Sequence, residues 1–204
     1  MIIIYDYGVG NSGSIKNMIL RAGYESKISS KKEEVEQAKF CVIPGIGAFD
    51  YCIERFHQQE SSDLLLEKIS LGLKTLGICV GLQMLFDSSE EGVKKGLGLI
   101  PGKVRRFDSF NPKFENKIPH MSWNYITPNN SNHAYSYLKN DAKFYFVHSY
   151  HAVCDDKYVT AYAKYGHKFP ASVNNKNIYG VQFHPEKSHS YGLNFFKNFF
   201  NYAP

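Results

Sequence analysis

Three short apolar runs, Ile2–Tyr5, Phe40–Ile43 and Thr75–Ile78, are separated by stretches with helical periodicity, and this alternation restricts the fold more than any other feature of the chain. Strands without a polar face must be covered on both sides, as they are in a mainly parallel sheet with helices on both faces. Ile15, Met18, Ile19 and Ala22 fall at i, i+3, i+4 and i+7, with Gly23 as the stop. A second helix is expected over Ser61–Leu71, with Leu64, Leu65, Ile69 and Leu71 toward the core. The second half changes character. Phe144–Val147, Val159–Ala163 and Ile178–Phe183 are rich in β-branched and aromatic residues, and Asn174–Asn177 separates two of them as a hairpin turn would. Added antiparallel strands are therefore expected in an α/β fold. Leu193, Phe196 and Phe200 share one stripe of a closing helix, with Phe195 and Phe199 beside it, whereas Asn111–Asn116 and Thr127–Tyr137 read as polar loops.

With 204 residues, 43% hydrophobic and 21% charged, the chain is expected to form one domain, residues 1–204. Its net charge of +5 is dispersed, and Lys31-Lys32 and Lys94-Lys95 have acids close by. A solvated surface, and no nucleic-acid partner, follows from that pattern. No basic and apolar leader precedes Asp6, and no apolar run approaches the ~20 residues that span a bilayer, so a cytoplasmic protein without membrane contact is expected. Cys41, Cys52, Cys79 and Cys154 form no C-x-x-C pair and no zinc-like spacing, which leaves a thiol free for chemistry.

Gly77-Ile78-Cys79-Val80-Gly81 joins the Thr75–Ile78 run to Leu82, Met84, Leu85 and Phe86, which suit a helix. A sharp strand-to-helix turn around a nucleophile leaves no room for neighbouring side chains, hence the flanking glycines. At a helix N-terminus, Cys79 would be favoured as the thiolate, the attacking form. A buried structural cysteine is the reading for a lone thiol; the glycines at this junction reverse it. A thiol nucleophile needs a base and the base an orienting group. In Gln182-Phe183-His184-Pro185-Glu186, an extended backbone projects His184 and Glu186 to one side, and Pro185 keeps His184 extended. His57, His133 and His167 sit in polar contexts and are expected at the surface, leaving His120, His148, His151 and His189 as functional or satisfied core residues. Pro44-Gly45-Ile46-Gly47 permits a backbone N–H to turn toward a developing oxyanion, and reads equally as a strand-ending turn. Gly8-Val9-Gly10-Asn11-Ser12-Gly13 has the spacing of a dinucleotide fingerprint, but the following strand runs into Ser29-Ser30-Lys31-Lys32 instead of the ribose-binding acid.

The Cys79 elbow, the later His-Pro-Glu and the earlier Pro-Gly-x-Gly together resemble class I, or triad, glutamine amidotransferases. Within that family the chain is similar to the glutaminase subunits of imidazole glycerol phosphate synthases, from Asp6-Tyr7-Gly8-x-Gly10-Asn11 through Pro119-His120-Met121-x-Trp123-Asn124 and Tyr145–Tyr150 to Gln182–Ser188. The resemblance covers nearly the whole chain. It implies a flavodoxin-like class I glutamine amidotransferase fold, glutamine as substrate, and a catalytic triad of Cys79, His184 and Glu186. It also implies an oxyanion hole from the N–H groups of Val80 and Ile46, and a glutamine site at Gly47, Gln83, His148, Ser149 and Tyr150. No metal or organic cofactor is implied. Asn11, Met121, Trp123, Asn124 and Lys187 would face a barrel-shaped cyclase subunit in a heterodimer, which would receive the ammonia, and the Gly8–Gly13 loop would face that partner instead of a dinucleotide. Ser122 departs from the family's glycine, Ser12 from its common leucine, and Val80 and Leu82 from the usual elbow residues. Gly8–Ile15 and Glu186–Gly192 also resemble paralogues that feed ammonia to a sugar-amidating synthetase, an alternative acceptor. An inactive scaffold of the same fold is a third reading, against which stands the retention of all three triad residues.

Overall fold

The computed structural model describes residues 1–107, 116–129 and 142–202. The first half runs β1 (Ile2–Tyr5), α1 (Ser12–Arg21), β2 (Ser26–Ser29), α2 (Lys32–Glu36), β3 (Phe40–Ile43), α3 (Phe49–His57), α4 (Ser62–Ser70), β4 (Lys74–Ile78) and α5 (Val80–Met84). The short strands β5 (Ser88–Ser89) and β6 (Lys103–Arg106) follow, then β7 (His120–Tyr125), β8 (Thr127–Pro128), β9 (Lys143–His148), β10 (Tyr150–Val153), β11 (Val159–Tyr165), β12 (His167–Asn175), β13 (Ile178–Val181) and α6 (His189–Tyr202). The main sheet has the order β2-β1-β3-β4-β13-β12-β11-β8. It is parallel from β2 to β13 and antiparallel beyond. This is the expected α/β arrangement with added antiparallel strands. One helical layer pairs α1 with α6; the other packs α2 on α4 and α3 on both α4 and α5.

The apolar patterning accounts for the core. Ile2–Tyr5 is buried throughout, as is the β13 strand, because each lies inside the sheet and is covered on both faces. Phe195, Phe196, Phe199 and Phe200 are buried as the closing-helix stripe requires. α1 and α4 end alike: Gly23 and Gly72 take positive φ, and the next residue's N–H reaches back to Ile19 O (3.1 Å) and Lys68 O (2.9 Å). Leu71, at the cap where the helix stops just before that turn, is 75% exposed, in contrast to its expected place in the core. The 174–177 hairpin is present, and Asn177 Nδ2 donates to Ile69 O and Leu73 O (2.8 and 2.9 Å), tying it to the end of α4.

Two other expectations are corrected. The Phe144–Val147 run does not join the main sheet; as β9 it pairs antiparallel with β7 in a separate two-stranded sheet. Thr127–Pro128 is strand β8 at the edge of the main sheet, since Thr127 and Pro128 pair with Tyr162 and Ala161. The remainder of the expected Thr127–Tyr137 loop from residue 130, all but Asn116 of the Asn111–Asn116 loop, and His133 lie outside the described residues.

Candidate active site

Sheet register builds the site. Ile78 at the end of β4 pairs with Val181 at the end of β13, and Cys79 N donates to Val181 O at 2.8 Å. The nucleophile candidate and the Gln182–Glu186 segment therefore leave neighbouring parallel strands at their carboxyl ends, where open α/β sheets hold ligands. Cys79 occupies φ 56°, ψ −112°, a conformation that L residues avoid, and α5 begins at the next residue. Such strain persists only where the surroundings over-determine it. Here backbone packs on backbone. A Cβ on Gly81 would lie 2.0 Å from Ile43 O, one on Gly77 2.5 Å from Gly81 O, and one on Gly45 2.1 Å from Gly81 N. Gly81 and Gly45 thus share one cause, that the end of β3 touches the turn that carries Cys79. Gly77 instead makes room for the elbow's own backbone, and Gly47 has open space around it and a positive φ.

His184 Nδ1 donates to Glu186 Oε1 at 2.8 Å, with both side chains almost fully buried. Burial by itself would depress the His184 pKa, but the neighbouring Cys79 and then Glu186 outweigh it and raise the value to about 10. His184 Nε2 is buried without a hydrogen-bond partner among the described residues. Strand β9 braces this segment from the other side: His184 N donates to Tyr145 O (2.9 Å), Tyr145 N to Ser188 Oγ (3.0 Å), and Ser188 Oγ to His184 O (2.6 Å). Cys79 Sγ lies 3.9 Å from Val147 O on the same strand.

Gln182 was not singled out from the sequence, yet its Nε2 lies 3.8 Å from Cys79 Sγ and its Oε1 accepts from Gln83 Nε2 at 3.1 Å. The signal was present, since Gln182 and His184 alternate by two. Glu186, expected on the same extended segment, instead lies in a 3-10 turn over Pro185–Lys187 that brings its carboxylate back to His184 Nδ1. Gln83 Nε2 also donates to Tyr150 O at 3.1 Å. His148 is buried with Nδ1 2.7 Å from Tyr150 O and Nε2 3.0 Å from His120 Nδ1. Ser149 and Tyr150 are half-buried and Gly47 is exposed.

The Pro44–Gly47 loop lies against the elbow through Gly45. Tyr7 Oη donates to Pro44 O and, at 3.6 Å, to Met84 Sδ, and the Cys52 thiol donates to Ile46 O at 3.5 Å. Gly10, from the fingerprint-like loop, backs onto Pro44, whose Cβ would lie 2.6 Å from an added Cβ. Gly47 has φ 91°, and the Val80 N–H opens α5, where the first turn has no intrahelical partner. Burial pushes the thiols of Cys41, Cys52 and Cys154 up, Cys52 to about 11 and Cys154 to about 12.

Of the residues expected at a partner surface, Met121 is 59% exposed and Asn11 caps α1 by accepting from Ser14 N at 3.4 Å. Trp123 stacks on His189, with ring centroids 5.5 Å apart, and Lys187 Nζ stands over Tyr145. Asn124 instead turns inward, donating to Lys164 O at 2.9 Å and approaching His120 Nε2 at 3.4 Å. His57 is exposed as expected, but His167 is half-buried with its Nε2 3.1 Å from His151 Nε2, because both rings pack around Phe107. No helix among the described residues is long and apolar enough to cross a membrane.

Comparison with known proteins places this geometry. Residues 3–203 match the glutamine amidotransferase class-I family. An imidazole glycerol phosphate synthase subunit HisH 2 of Methanococcus maripaludis is 44% identical over the whole of both chains. Similarly named subunits of Pseudomonas aeruginosa and Bdellovibrio bacteriovorus are 41% and 42% identical over 98% of each chain. Among solved structures, a glutamine amidotransferase superposes with a TM-score of 0.75 at 18% identity, covering 100% of this chain and 99% of the other. PurLQS of Thermotoga maritima gives 0.74 at 17% identity, over 100% and 98%. These two establish the fold alone. With a family match over residues 3–203 and full-length relatives above 40% identity, the chain belongs to the class-I glutamine amidotransferases.

Proposed function

We propose that residues 1–204 form one glutaminase domain, the subunit of an imidazole glycerol phosphate synthase that hydrolyses glutamine and hands the ammonia to the other subunit for histidine biosynthesis in the cytoplasm. The observation that carries the reading is the buried His184–Glu186 pair beside a thiol held in a strained elbow. Full-length relatives that bear the synthase name favour it over the sugar-amidating and scaffold alternatives.

In the proposed mechanism Cys79 Sγ attacks the side-chain carbonyl carbon of glutamine, its proton having passed to His184 Nε2. Glu186 stabilises the imidazolium through Nδ1, the function of an orienting carboxylate. The oxyanion is met by the N–H of Val80 and, after a turn of the Gly45–Ile46 peptide, by that of Ile46. His184 gives its proton to the departing nitrogen, ammonia leaves, and a γ-glutamyl thioester remains. Water, deprotonated by His184, attacks the thioester carbonyl; the C–S bond breaks and glutamate is released. Gly47, Ser149 and Tyr150 would bound the glutamine, with Gln83 and His148 holding the Tyr150 carbonyl from behind.

The partner is a barrel-shaped cyclase subunit seated on the surface of Asn11, Met121, Trp123 and Lys187, with Asn124 at its inner edge. The 185–187 turn packs against α1, so Asn11 and Lys187 belong to one face, and Tyr145 brings Trp123 to it. Cys79→Ala tests the assignment. Product formation from glutamine should be abolished in the assembled synthase, while formation from ammonium salts continues near the wild-type rate. Glutamine-dependent turnover near wild type in the variant would exclude Cys79 as the nucleophile.

A further inference from the structure

Seven hydrogen-bonding groups connect strand β7 to the nucleophile in one line: Asn124, His120, His148, the Tyr150 carbonyl, Gln83, Gln182 and Cys79. The polarity of the line follows from a single fact, that a backbone carbonyl only accepts. Tyr150 O has two lone pairs and receives a donor from each side. On one side His148 Nδ1 must carry the proton, so its Nε2 is the acceptor and His120 Nδ1 the donor at 3.0 Å. His120 Nε2 is then an acceptor, and Asn124 Nδ2 faces it at 3.4 Å. On the other side Gln83 must present Nε2 to the carbonyl; its second N–H meets Gln182 Oε1 at 3.1 Å, and Gln182 has only its Nε2 left for Cys79. Turning over the Gln83 amide would set acceptor against acceptor at both of its contacts, and turning over the Gln182 amide would set donor against donor.

The line is rigidly set. His120 is fully buried, its ring stacked between Phe146 (5.0 Å, 25° between planes) and Tyr165 (4.1 Å, 24°), and Gln182 and Gln83 are buried as well. Burial keeps the His120 and His148 rings neutral, as the alternation of donor and acceptor requires. Its outer end, β7, carries Met121 and Tyr125 exposed at 59% and 57%.

We infer that this line is a positioning device for the glutaminase reaction: the histidine pair holds the Tyr150 carbonyl, the carbonyl orients Gln83, Gln83 orients Gln182, and Gln182 keeps an N–H donor against the Cys79 sulfur. The inference rests on the proposed function above. A charge-assisted N–H to sulfur contact strengthens as the thiol gives up its proton, so the device acts on the reacting thiolate and not on glutamine affinity. It also makes β7 and Cys79 two ends of one network, so that a protein seated on β7 bears on the nucleophile through His120.

Two replacements of His120 separate positioning from packing. His120→Phe keeps the stacked ring but removes both nitrogens, whereas His120→Asn loses the stack and places an amide nitrogen where Nδ1 was. In the assembled synthase, His120→Phe should melt near wild type yet lose about tenfold or more in kcat, with KM changed less than about twofold. His120→Asn should melt lower yet keep kcat within about threefold of wild type. A packing role gives the reverse order, and kcat of the Asn variant equal to or below that of the Phe variant would overturn the inference. Ring-nitrogen NMR of histidine-labelled protein provides a readout independent of turnover. Both His120 and His148 should be Nδ1–H tautomers, and an Nε2–H tautomer at either ring would also overturn it. A wild-type synthase that releases no glutamate, with both rings in the Nδ1–H form, would instead fault the reaction assignment and leave the line intact.

Discussion

Gly81→Ala should disable the site by moving it, without touching any group that does chemistry. The added methyl would lie 2.0 Å from Ile43 O, a full 1 Å inside the 3.0 Å limit that Cβ atoms respect. The atom in its way is a backbone carbonyl of β3, a strand bonded on both sides in the sheet, so the helix start must yield instead. Overpacking of this kind destabilises by about 3 kcal/mol, equivalent to about 6–12 °C in melting temperature for a chain of this length. The helix start that yields carries the Val80 N–H and borders Cys79, and a displacement near 1 Å at a reacting centre lowers the rate by about 10²-fold. Gly13→Ala is the control: it lies in α1, with nothing within 4 Å of an added Cβ, and should be neutral or stabilising by up to about 1 kcal/mol. Thermal melts and glutamate release by the assembled synthase would be measured for both. A Gly81→Ala protein within about 1 °C and about twofold of wild type would refute the claim that backbone contact between β3 and the elbow holds the nucleophile.

How much of this was legible in the sequence depends on how local each cause is. Strands β1 and β3 occur at the expected residues, because an uninterrupted apolar tetrad between helical stretches has few other uses. The triad was legible for a similar reason: the glycines around Cys79 are a short-range consequence of a strained turn, and Pro185 keeps His184 extended. Glu186, however, reaches His184 from a 3-10 turn over Pro185–Lys187 and not along the extended segment that was expected. Leu71 was misplaced because α4 ends at Ser70, so a stripe extended by periodicity runs past the end of the packed helix. The separate β7–β9 sheet was illegible, since a run rich in aromatic residues announces a strand without naming its partner. His120 and Asn124 acquire their roles only through that pairing, which sets His120 opposite His148. The Pro44–Gly47 motif stood equally for a turn or an oxyanion loop. Its first glycine follows from contact with Gly81, a residue far away in sequence, and no local pattern could have reported that.

Within the triad, His184→Ala should lower the rate of glutamine hydrolysis by about 10²–10⁴-fold, the contribution of a general base. Glu186→Gln, which loses one buried charge-assisted bond of 2.8 Å, should lower it by about 10–150-fold. Kinetics on folded variants at one pH would reverse the assigned roles if Glu186→Gln were the worse of the two. The buried histidines make a prediction about acid. Burial holds His120 and His151 down to about 4, from an ordinary 6.5, and His148 well below its usual value. Between those limits the unfolded chain binds protons that the folded rings refuse. The contribution of these three rings is therefore complete above about pH 6.5 and falls as the pH drops toward 4, each ring contributing up to about 1.4 kcal/mol per pH unit. His184, raised to about 10, contributes with the opposite sign and loses its share as the pH rises above about 6.5. Urea denaturation from about pH 7 to about pH 5 should show this slope, and His151→Asn should reduce it by one ring's share. Equal stability at both ends of that range would mean that the three rings are already protonated, or reached by solvent, in the folded chain. The alternation of donors and acceptors through His120 and His148 would then fail with it, because a doubly protonated imidazole has no acceptor to offer.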